Sequence, residues 1–372
     1  MELKSTPILA SARVTNRVSL VPKVPAAGQN FEEEIHSCPV EDVVVDVQQK
    51  SICIGEIQTA LPGNSFSEIF KCYKELWKMR LSGLVVFTAA GGYIACGGSS
   101  WKECAALCAG TFLQAACANT FNEVIEVDLD AQMARTRGRP LPTKRITKKH
   151  AITQAVIAGI GGTCLLYSCN NSLTAALGAS NIFLYAGIYT PLKTRSVLNT
   201  WFGTLNGSIP PLMGCAAATG TLNDTIGLFM GGIMYLWQIS HFMAINYKCK
   251  SDYGRAGYKM LANEDPEAAA THAVLHTALL FPLCWWLSYK QAAPWWFAAV
   301  STPINYYLLM KPAVTFKRNV NYDNATKLFF KSLGHLCALF VTGVFATTWK
   351  RSIKNAIVES SFWNTIKSFF GF

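Results

Sequence analysis

Asn122, Glu126 and Asp130 recur at intervals of four along the chain, at the end of an apolar run. Each such step drifts only about 40° around a helix, so the amide and both carboxylates share one face. They climb roughly 12 Å along it, from the bilayer interior towards a loop. Carboxylates at the end of a membrane span are costly unless they line a wet cavity or bind a cation. Hard oxygen donors of this kind suit Mg²⁺, which takes a few carboxylates together with phosphate oxygens. Asp128 points about 160° away from Glu126, which leaves it a supporting role at most.

Cationic residues stand beside these acids. Arg135 and Arg139 follow at once, Lys193 and Arg195 come after a later apolar run, and Lys250, Asp252 and Tyr253 after another. The guanidinium groups could be no more than counter-ions of the carboxylates. With a metal present the same set becomes an anion clamp, since arginine grips phosphate oxygens in a bidentate fashion. The chemistry that fits is capture of a metal–diphosphate complex.

The elements that must position these residues are long apolar helices. The 372 residues are 51% hydrophobic and only 15% charged, with a net charge of +11 and a mean hydropathy of +0.23. Soluble domains carry about 25% charged residues, so the composition argues against a large soluble enzyme; it is also too hydrophobic for disorder. Nine apolar runs lie near 81–98, 104–121, 151–168, 173–190, 199–218, 226–245, 272–289, 293–310 and 332–349. They predict an all-α polytopic membrane protein of about nine transmembrane helices around a central cavity. Gly, Ala and Ser within the runs suit close helix packing in lipid, and tryptophans such as Trp101, Trp285 and Trp349 gather at their ends. The Gly207–Gly214 segment, with Pro210 and Pro211, is expected to break the fifth helix.

Loop charge supplies the orientation. Eighteen lysines and arginines follow the even-numbered runs, against only Lys102 and Lys290 after the odd-numbered ones. Such asymmetry puts the basic loops, and any site built from them, on the inner face. Lys350, Arg351, Lys354 and Lys367, beyond the ninth run, stand on the wrong side for this rule. The acids and bases are thus concentrated on one face, whereas an alternating-access transporter needs a site reachable from both. A purely structural assembly factor has no need of a carboxylate ladder aligned with arginines.

Three regions follow. Residues 1–64 read as a transit peptide, with Lys4, Arg13, Arg17 and Lys23 against the single acid Glu2, and then an acidic, disordered linker. The transmembrane domain occupies 65–350, preceded by an interfacial helix over 65–80. That helix opens on the capping box Ser65-x-x-Glu68 and aligns Phe66, Ile69, Phe70, Tyr73 and Trp77 on one face. Residues 351–372 form a C-terminal tail. The 13 cysteines include no C-x-x-C pair, and most lie inside apolar runs, where a thiol acts as a small hydrophobe. Neither a disulfide scaffold nor a zinc site is expected.

The motifs resemble a known family. Asn122-x-x-x-Glu126-x-x-x-Asp130-x-x-Met133-x-Arg135-Thr136-x-x-Arg139-Pro140-Leu141 is similar to the first signature of the UbiA-like intramembrane prenyltransferases. Three further stretches resemble its haem O synthase branch: Tyr189-Thr190-Pro191-Leu192-Lys193-x-Arg195-x-x-x-Asn199-Thr200, Gly207-x-Ile209-Pro210-Pro211-x-x-Gly214, and His241-Phe242 followed by Asp252-Tyr253-x-x-Ala256-Gly257-Tyr258. The resemblance spans about residues 75–350. Glu126 stands where many members have Asp, Lys78-Met79-Arg80 replaces Lys-Pro-Arg, and Ser240 precedes His241 in place of Pro. Asp252 is a single carboxylate where the superfamily often has two or more.

The resemblance implies farnesyl diphosphate as donor, the 2-vinyl group of haem b as acceptor and haem O as product. It implies that Asn122, Glu126 and Asp130 hold Mg²⁺ on the diphosphate from one side and Asp252 from the other. Arg135, Arg139, Lys193, Arg195 and Lys250 would neutralise the leaving group, and Tyr189, Asn199 and Tyr253 would line the cavity. His241 could meet the haem iron or a propionate, or simply hydrogen-bond a neighbouring helix. The implied setting is the mitochondrial inner membrane with the site loops facing the matrix, haem A synthase as a partner, and no nucleic acid. A quinone-type aromatic prenyltransferase is the rival within the class, and the Tyr189–Lys193, Pro210–Gly214 and Asp252–Gly257 stretches weigh against it.

Overall fold

The computed structural model describes residues 66–370, with side chains over 67–358. The expected transit peptide and linker, and Ser65 of the expected capping box, lie outside the described residues. Every regular element among those residues is helical. In chain order they are α1 (Phe66–Leu76), α2 (Met79–Ala95), α3 (Trp101–Ile125), α4 (Val127–Asp130), α5 (Lys148–Cys169) and α6 (Ser172–Phe183). α6 continues through a π-helical stretch, Leu184–Tyr189, into α7 (Thr190–Leu192). Then come α8 (Asn199–Thr219), α9 (Thr225–Lys248), α10 (Lys250–Arg255), α11 (Leu261–Glu264) and α12 (Pro266–Tyr289). α13 (Trp295–Asn305) passes through a second π-helical stretch, Tyr306–Met310, into α14 (Lys311–Arg318), and α15 (Tyr322–Phe370) closes the chain.

Polar caps set several of the starts. Ser100 accepts from the Glu103 amide before α3, Thr147 from His150 before α5 and Asn171 from Thr174 before α6. Asp224 accepts from both Ile226 and Gly227 before α9, and Asp265 from Ala268 before α12. Each satisfies amides that a helix leaves without an internal partner. Five helices, α3, α5, α9, α12 and the Tyr322–Val358 part of α15, are long and apolar enough to cross a membrane. The expected count of nine is not reached by that measure. α2 is only 17 residues long, and the fourth and eighth apolar runs are divided by their π-helical stretches.

Backbones approach closely where small residues meet. A methyl group added to Gly92 would sit 2.2 Å from the Pro211 carbonyl oxygen, and one on Gly214 would sit 1.9 Å from that of Ala89. α2 and α8 are therefore in backbone contact, the arrangement small residues permit in lipid. The largest apolar core joins α9, α12, α13, α14 and α15 through Phe229, Ile233, Leu280, Phe297, Phe316 and Phe340.

Several expectations are corrected. α8 runs unbroken through Pro210 and Pro211; the amides those prolines lack cost it two hydrogen bonds, and the close backing by α2 holds the geometry. The interfacial helix ends at Leu76 rather than 80, because Lys78 turns left-handed (φ 46°) ahead of α2. Cys96 and Cys215 are joined by a disulfide, contrary to the sequence reading: the fold brings together two apolar-run cysteines 119 positions apart. The ninth run lies inside α15, which continues without a break past residue 351. Arg351 donates to the Ile94 and Ala95 carbonyls at the end of α2, so one cation that offends the charge rule caps a helix C-terminus instead.

Candidate functional site

The chain does not carry Asn122, Glu126 and Asp130 on one continuous helix. α3 ends at Ile125, Glu126 occupies the junction (φ −95°, ψ 9°), and Asp130 closes the single turn of α4. Helical hydrogen bonding survives the kink, with the Glu126 amide donating to the Asn122 carbonyl and the Asp130 amide to that of Glu126. The three side chains accordingly stay together and are buried, at 2%, 3% and 1% exposure.

Each is met by a cation from a different segment. Lys193 Nζ, just beyond α7, lies 2.8 Å from Glu126 Oε1. Arg139 Nη1, folded back by the turns of the 131–147 loop, lies 2.7 Å from Asp130 Oδ2. Lys78 Nζ donates to Asn122 Oδ1 at 2.8 Å, which the left-handed turn before α2 makes possible. Asn122 then donates through Nδ2 to Glu126 Oε2 at 2.7 Å and to Thr190 Oγ1 at 3.1 Å. The Tyr189 and Tyr258 rings lie 4.7 and 5.7 Å from Lys193 Nζ, giving it two π faces.

Two residues join this centre that the spacing argument passed over. Glu123 is 1% exposed and its Oε1 lies 3.6 Å from Arg139 Nε. Its position one residue after Asn122 puts it on another helix face in an ideal projection, and only the returning loop reveals its partner. Lys78 was visible in the Lys78-Met79-Arg80 stretch, without any sign of which residue it would meet.

Burial alone would lower the basicity of Arg139, but Glu123 and Asp130 outweigh it and hold the guanidinium firmly charged. Burial likewise opposes charge on Lys193, and Glu126 outweighs it. Lys78 is different: burial first, then repulsion from Arg139, pulls its ammonium down to about 8. The Tyr258 phenol is pushed up by burial and by Glu126 and Asp130, so it remains a donor at neutral pH.

Other expected residues lie around this centre. Asp252 accepts from the Ala134 amide at 3.4 Å and pairs with Arg255, and so docks α10 on the loop that carries Arg135. Tyr253 packs on Tyr258 with ring centroids 5.7 Å apart. Asn199 donates to the Ser196 and Lys259 carbonyls, while the Lys259 amide donates to the Lys193 carbonyl at 2.7 Å; together they tie two site loops. Arg135 and Arg195 are exposed. Lys250 faces away, over the Tyr247 ring at 5.7 Å, and lines with Lys248, Asn263 and Tyr322 a separate cavity of about 590 Å³. His241 is sandwiched between Trp237 and Phe329, at 4.8 and 4.7 Å between centroids, with Nδ1 2.8 Å from Ser332 Oγ. The His272 and His276 rings lie 5.6 Å apart, tilted by 38°, and His335 meets Asn305.

The centre suits a divalent cation carrying a polyanion. Among the described residues, Glu123 Oε2 and Asp130 Oδ1 are buried without a hydrogen-bond donor, a costly state for carboxylate oxygens that a cation would relieve. Glu123, Glu126 and Asp130 are matched by Lys78, Arg139 and Lys193, so charge is balanced before any ligand arrives. A metal on the acids would free the bases for phosphate oxygens. Among the described residues the acids do not yet converge on one point: the set of three His, Cys, Asp or Glu ligand atoms within 4.8 Å of one another lies elsewhere, at Cys96, Cys215 and Asp224.

Comparison with known proteins identifies the family. Residues 84–334 match the UbiA prenyltransferase family. The chain is 38% identical to an Arabidopsis thaliana protein named protoheme IX farnesyltransferase, mitochondrial, over 78% of this chain and 68% of the relative. It is also 38% identical to the Homo sapiens protein of the same name, over 72% of this chain and 60% of that one, and so spans less than two thirds of the human relative's length. Among solved structures, a digeranylgeranylglyceryl phosphate synthase superposes with a TM-score of 0.65 at 14% identity, over 75% of this chain and 98% of that one. A UbiA homologue from Archaeoglobus fulgidus, bound to DMAPP and Mg²⁺, superposes with a TM-score of 0.52 at 14% identity, over 74% and 98%; these two likenesses speak for the fold. The chain belongs to the UbiA prenyltransferase family.

Proposed function

We propose that this chain transfers the farnesyl group of farnesyl diphosphate to the 2-vinyl group of haem b, with addition of water, to give haem O. The observation that carries the reading is the centre in which buried Glu123, Glu126 and Asp130 are matched in formal charge by Lys78, Arg139 and Lys193. It stands in a chain 38% identical to proteins named for that activity.

Asn122, Glu123, Glu126 and Asp130 would hold Mg²⁺, with Asp252 approaching from α10. When bound, the ion neutralises diphosphate oxygens and so makes the diphosphate a better leaving group. Arg139, Lys193 and Lys78 exchange their carboxylate partners for phosphate oxygens, and Arg135 and Arg195 stand in the exposed rim. Breaking the allylic C–O bond sends its electron pair to the diphosphate, so the fixed cations stabilise charge where it develops. The terminal vinyl carbon then bonds to the farnesyl carbon, and water adds at the adjacent carbon with loss of a proton. Tyr189 and Tyr258 present π faces that favour cationic character and help keep bulk water from the allylic cation.

The acceptor carries two carboxylates. The cavity lined by Lys248 and Lys250 suits them, and α10, which lends it Lys250, Ser251 and Gly254, also carries Tyr253, packed on Tyr258 of the donor centre. His241, already held between two rings and by Ser332, serves as a wall of the acceptor site rather than an iron ligand. The setting that accords with the mitochondrial relatives and the basic loops is the inner membrane, with the site facing the matrix and haem A synthase receiving the product.

The test is turnover by the purified chain with haem b, farnesyl diphosphate and Mg²⁺, followed by mass spectrometry. A hydroxyethylfarnesyl haem that vanishes with EDTA and returns with Mg²⁺ is the expected product. Farnesyl diphosphate consumed without a haem adduct would reassign the acceptor, and a folded chain inert to both would overturn the reading.

A further inference from the structure

Cys96 and Cys215 meet at the opposite face of the molecule from the carboxylate centre. Cys96 caps the C-terminus of α2, and Cys215 lies one turn before the end of α8. The two are joined in a disulfide with 5.3 Å between their Cα atoms. Among the described residues, nine other cysteines are free, so the bond is selective. Asp224, the cap of α9, points the same oxygen at both sulfurs: Oδ1 is 3.5 Å from Cys96 Sγ and 3.6 Å from Cys215 Sγ. That oxygen also accepts from the Ile226 and Gly227 amides at 2.8 and 3.0 Å, which fixes it in place. α9 presses on the pair directly, since a methyl group on Gly227 would lie 2.6 Å from Cys215 Sγ.

The arrangement serves two redox states. As thiols, both sulfurs would find an acceptor within reach in a carboxylate already held by two amides; as the disulfide they bond to each other, with 5.3 Å between the Cα atoms. A carboxylate in contact with both thiols is placed to take the proton that leaves on oxidation. Cys96 is 9% exposed and Cys215 2%, so the outer sulfur is the one a partner reaches first. The face is the one without the basic loops, and disulfides persist on the oxidising side of a membrane.

We propose that Cys96, Cys215 and Asp224 form a thiol–disulfide exchange site that reversibly staples α2 to α8. The co-reactant is a disulfide-bearing partner. The Cys96 thiolate attacks one of its sulfurs, forming a mixed disulfide and expelling one thiol. The Cys215 thiolate then attacks Cys96 Sγ and expels the second. Two cysteine thiols lose two electrons and two protons in all, and the partner disulfide becomes two thiols; Asp224 is the first acceptor for the protons. The helices so stapled carry Lys78 ahead of α2 and Asn199 at the start of α8 at their other ends, so the bond fixes the far end of two walls of the donor site.

The experiment uses the full-length wild-type chain in isolated membranes. Free thiols are blocked with N-ethylmaleimide, and the chain is digested without reduction for mass spectrometry. A linked Cys96–Cys215 peptide is expected, opened by dithiothreitol and restored by oxidised glutathione in a single two-electron transition. Asp224→Asn should retain the pairing but slow reoxidation roughly tenfold and shift its pH–rate profile. Two alkylated cysteines that stay unlinked after oxidised glutathione would overturn the proposal. So would two cysteines protected from alkylation without linkage, the mark of a bound metal at this trio. An Asp224→Asn chain with the wild-type rate and pH profile would remove the carboxylate from the exchange step.

Discussion

At the residue scale the centre is a set of exchangeable ion pairs, and this determines how its variants should fail. Asp130 is 1% exposed, with one oxygen on Arg139 and the other without a donor. Asp130→Asn keeps the volume and removes the charge that would draw a divalent cation. Turnover should fall by at least about 100-fold, the scale for loss of one preorganised electrostatic group, while the protein still inserts and extracts normally. Near wild-type kcat in a Mg²⁺ titration would dismiss Asp130 as a ligand. Lys78 gives a pH signature. Its ammonium is held down to about 8, by burial and then by Arg139, so it is charged below that pH and neutral above. The contribution of Lys78 to diphosphate affinity is therefore complete at lower pH and lost as the pH rises through 8. The alkaline limb should show in kcat/KM, which reports the free enzyme, and should weaken in kcat once bound diphosphate restores the proton. Lys78→Arg should move the limb upward, and an unmoved limb would assign it to another group. The spacing of Asn122, Glu126, Asp130 and Arg139 made most of this centre legible in the sequence. Glu123 and Lys78 were not, because their partners are set by a loop that folds back and by a left-handed turn, neither of which has a period.

At the element scale, apolar runs revealed the helices well and their interruptions poorly. Pro210 and Pro211 look like a break by local rules, yet α8 passes through both, since the backing by α2 outweighs two missing hydrogen bonds. The same packing argues a prediction. A side chain at Gly214 would enter the Ala89 carbonyl at 1.9 Å and the Tyr93 amide at 2.6 Å, both backbone atoms that cannot rotate aside. Gly214→Val should destabilise by about 2 kcal/mol or more, lowering the thermal midpoint in detergent by at least roughly 4 °C. Gly138, where an added methyl meets nothing within 4 Å, is the control, and Gly138→Ala should leave the midpoint unchanged. Equal midpoints for both variants would mean that α2 and α8 are less tightly apposed than the structure places them. The Cys96–Cys215 bond belongs to this scale as well: it is invisible to spacing rules because the 119-residue separation acquires meaning only once these two helices are paired.

At the scale of the whole molecule, charge is divided between two faces, and each face carries a different chemistry. Arg135, Arg139 and Lys193, in loops, and Lys250, at the start of α10, belong to the face of the carboxylate centre, while Cys96, Cys215, Asp224 and the Arg351 cap of α2 mark the other. Loop charge orients a polytopic protein with its basic side inward, and a diphosphate made in the inner compartment would then meet its binding cations without crossing the bilayer. The orientation is testable with single cysteines introduced at exposed sites on the two faces. Arg137→Cys, in the 131–147 loop, should react with a membrane-impermeant maleimide only after mitoplasts are opened by detergent. Gln291→Cys, in the turn between α12 and α13, should react while they are intact. Both positions are exposed, and both lie outside the centre, so turnover serves as the check on folding. The reverse pattern would put the basic loops outside and require the donor to be delivered from that side. Equal labelling of both in intact mitoplasts would mean that the two loops share one face and would overturn the odd number of crossings expected between them.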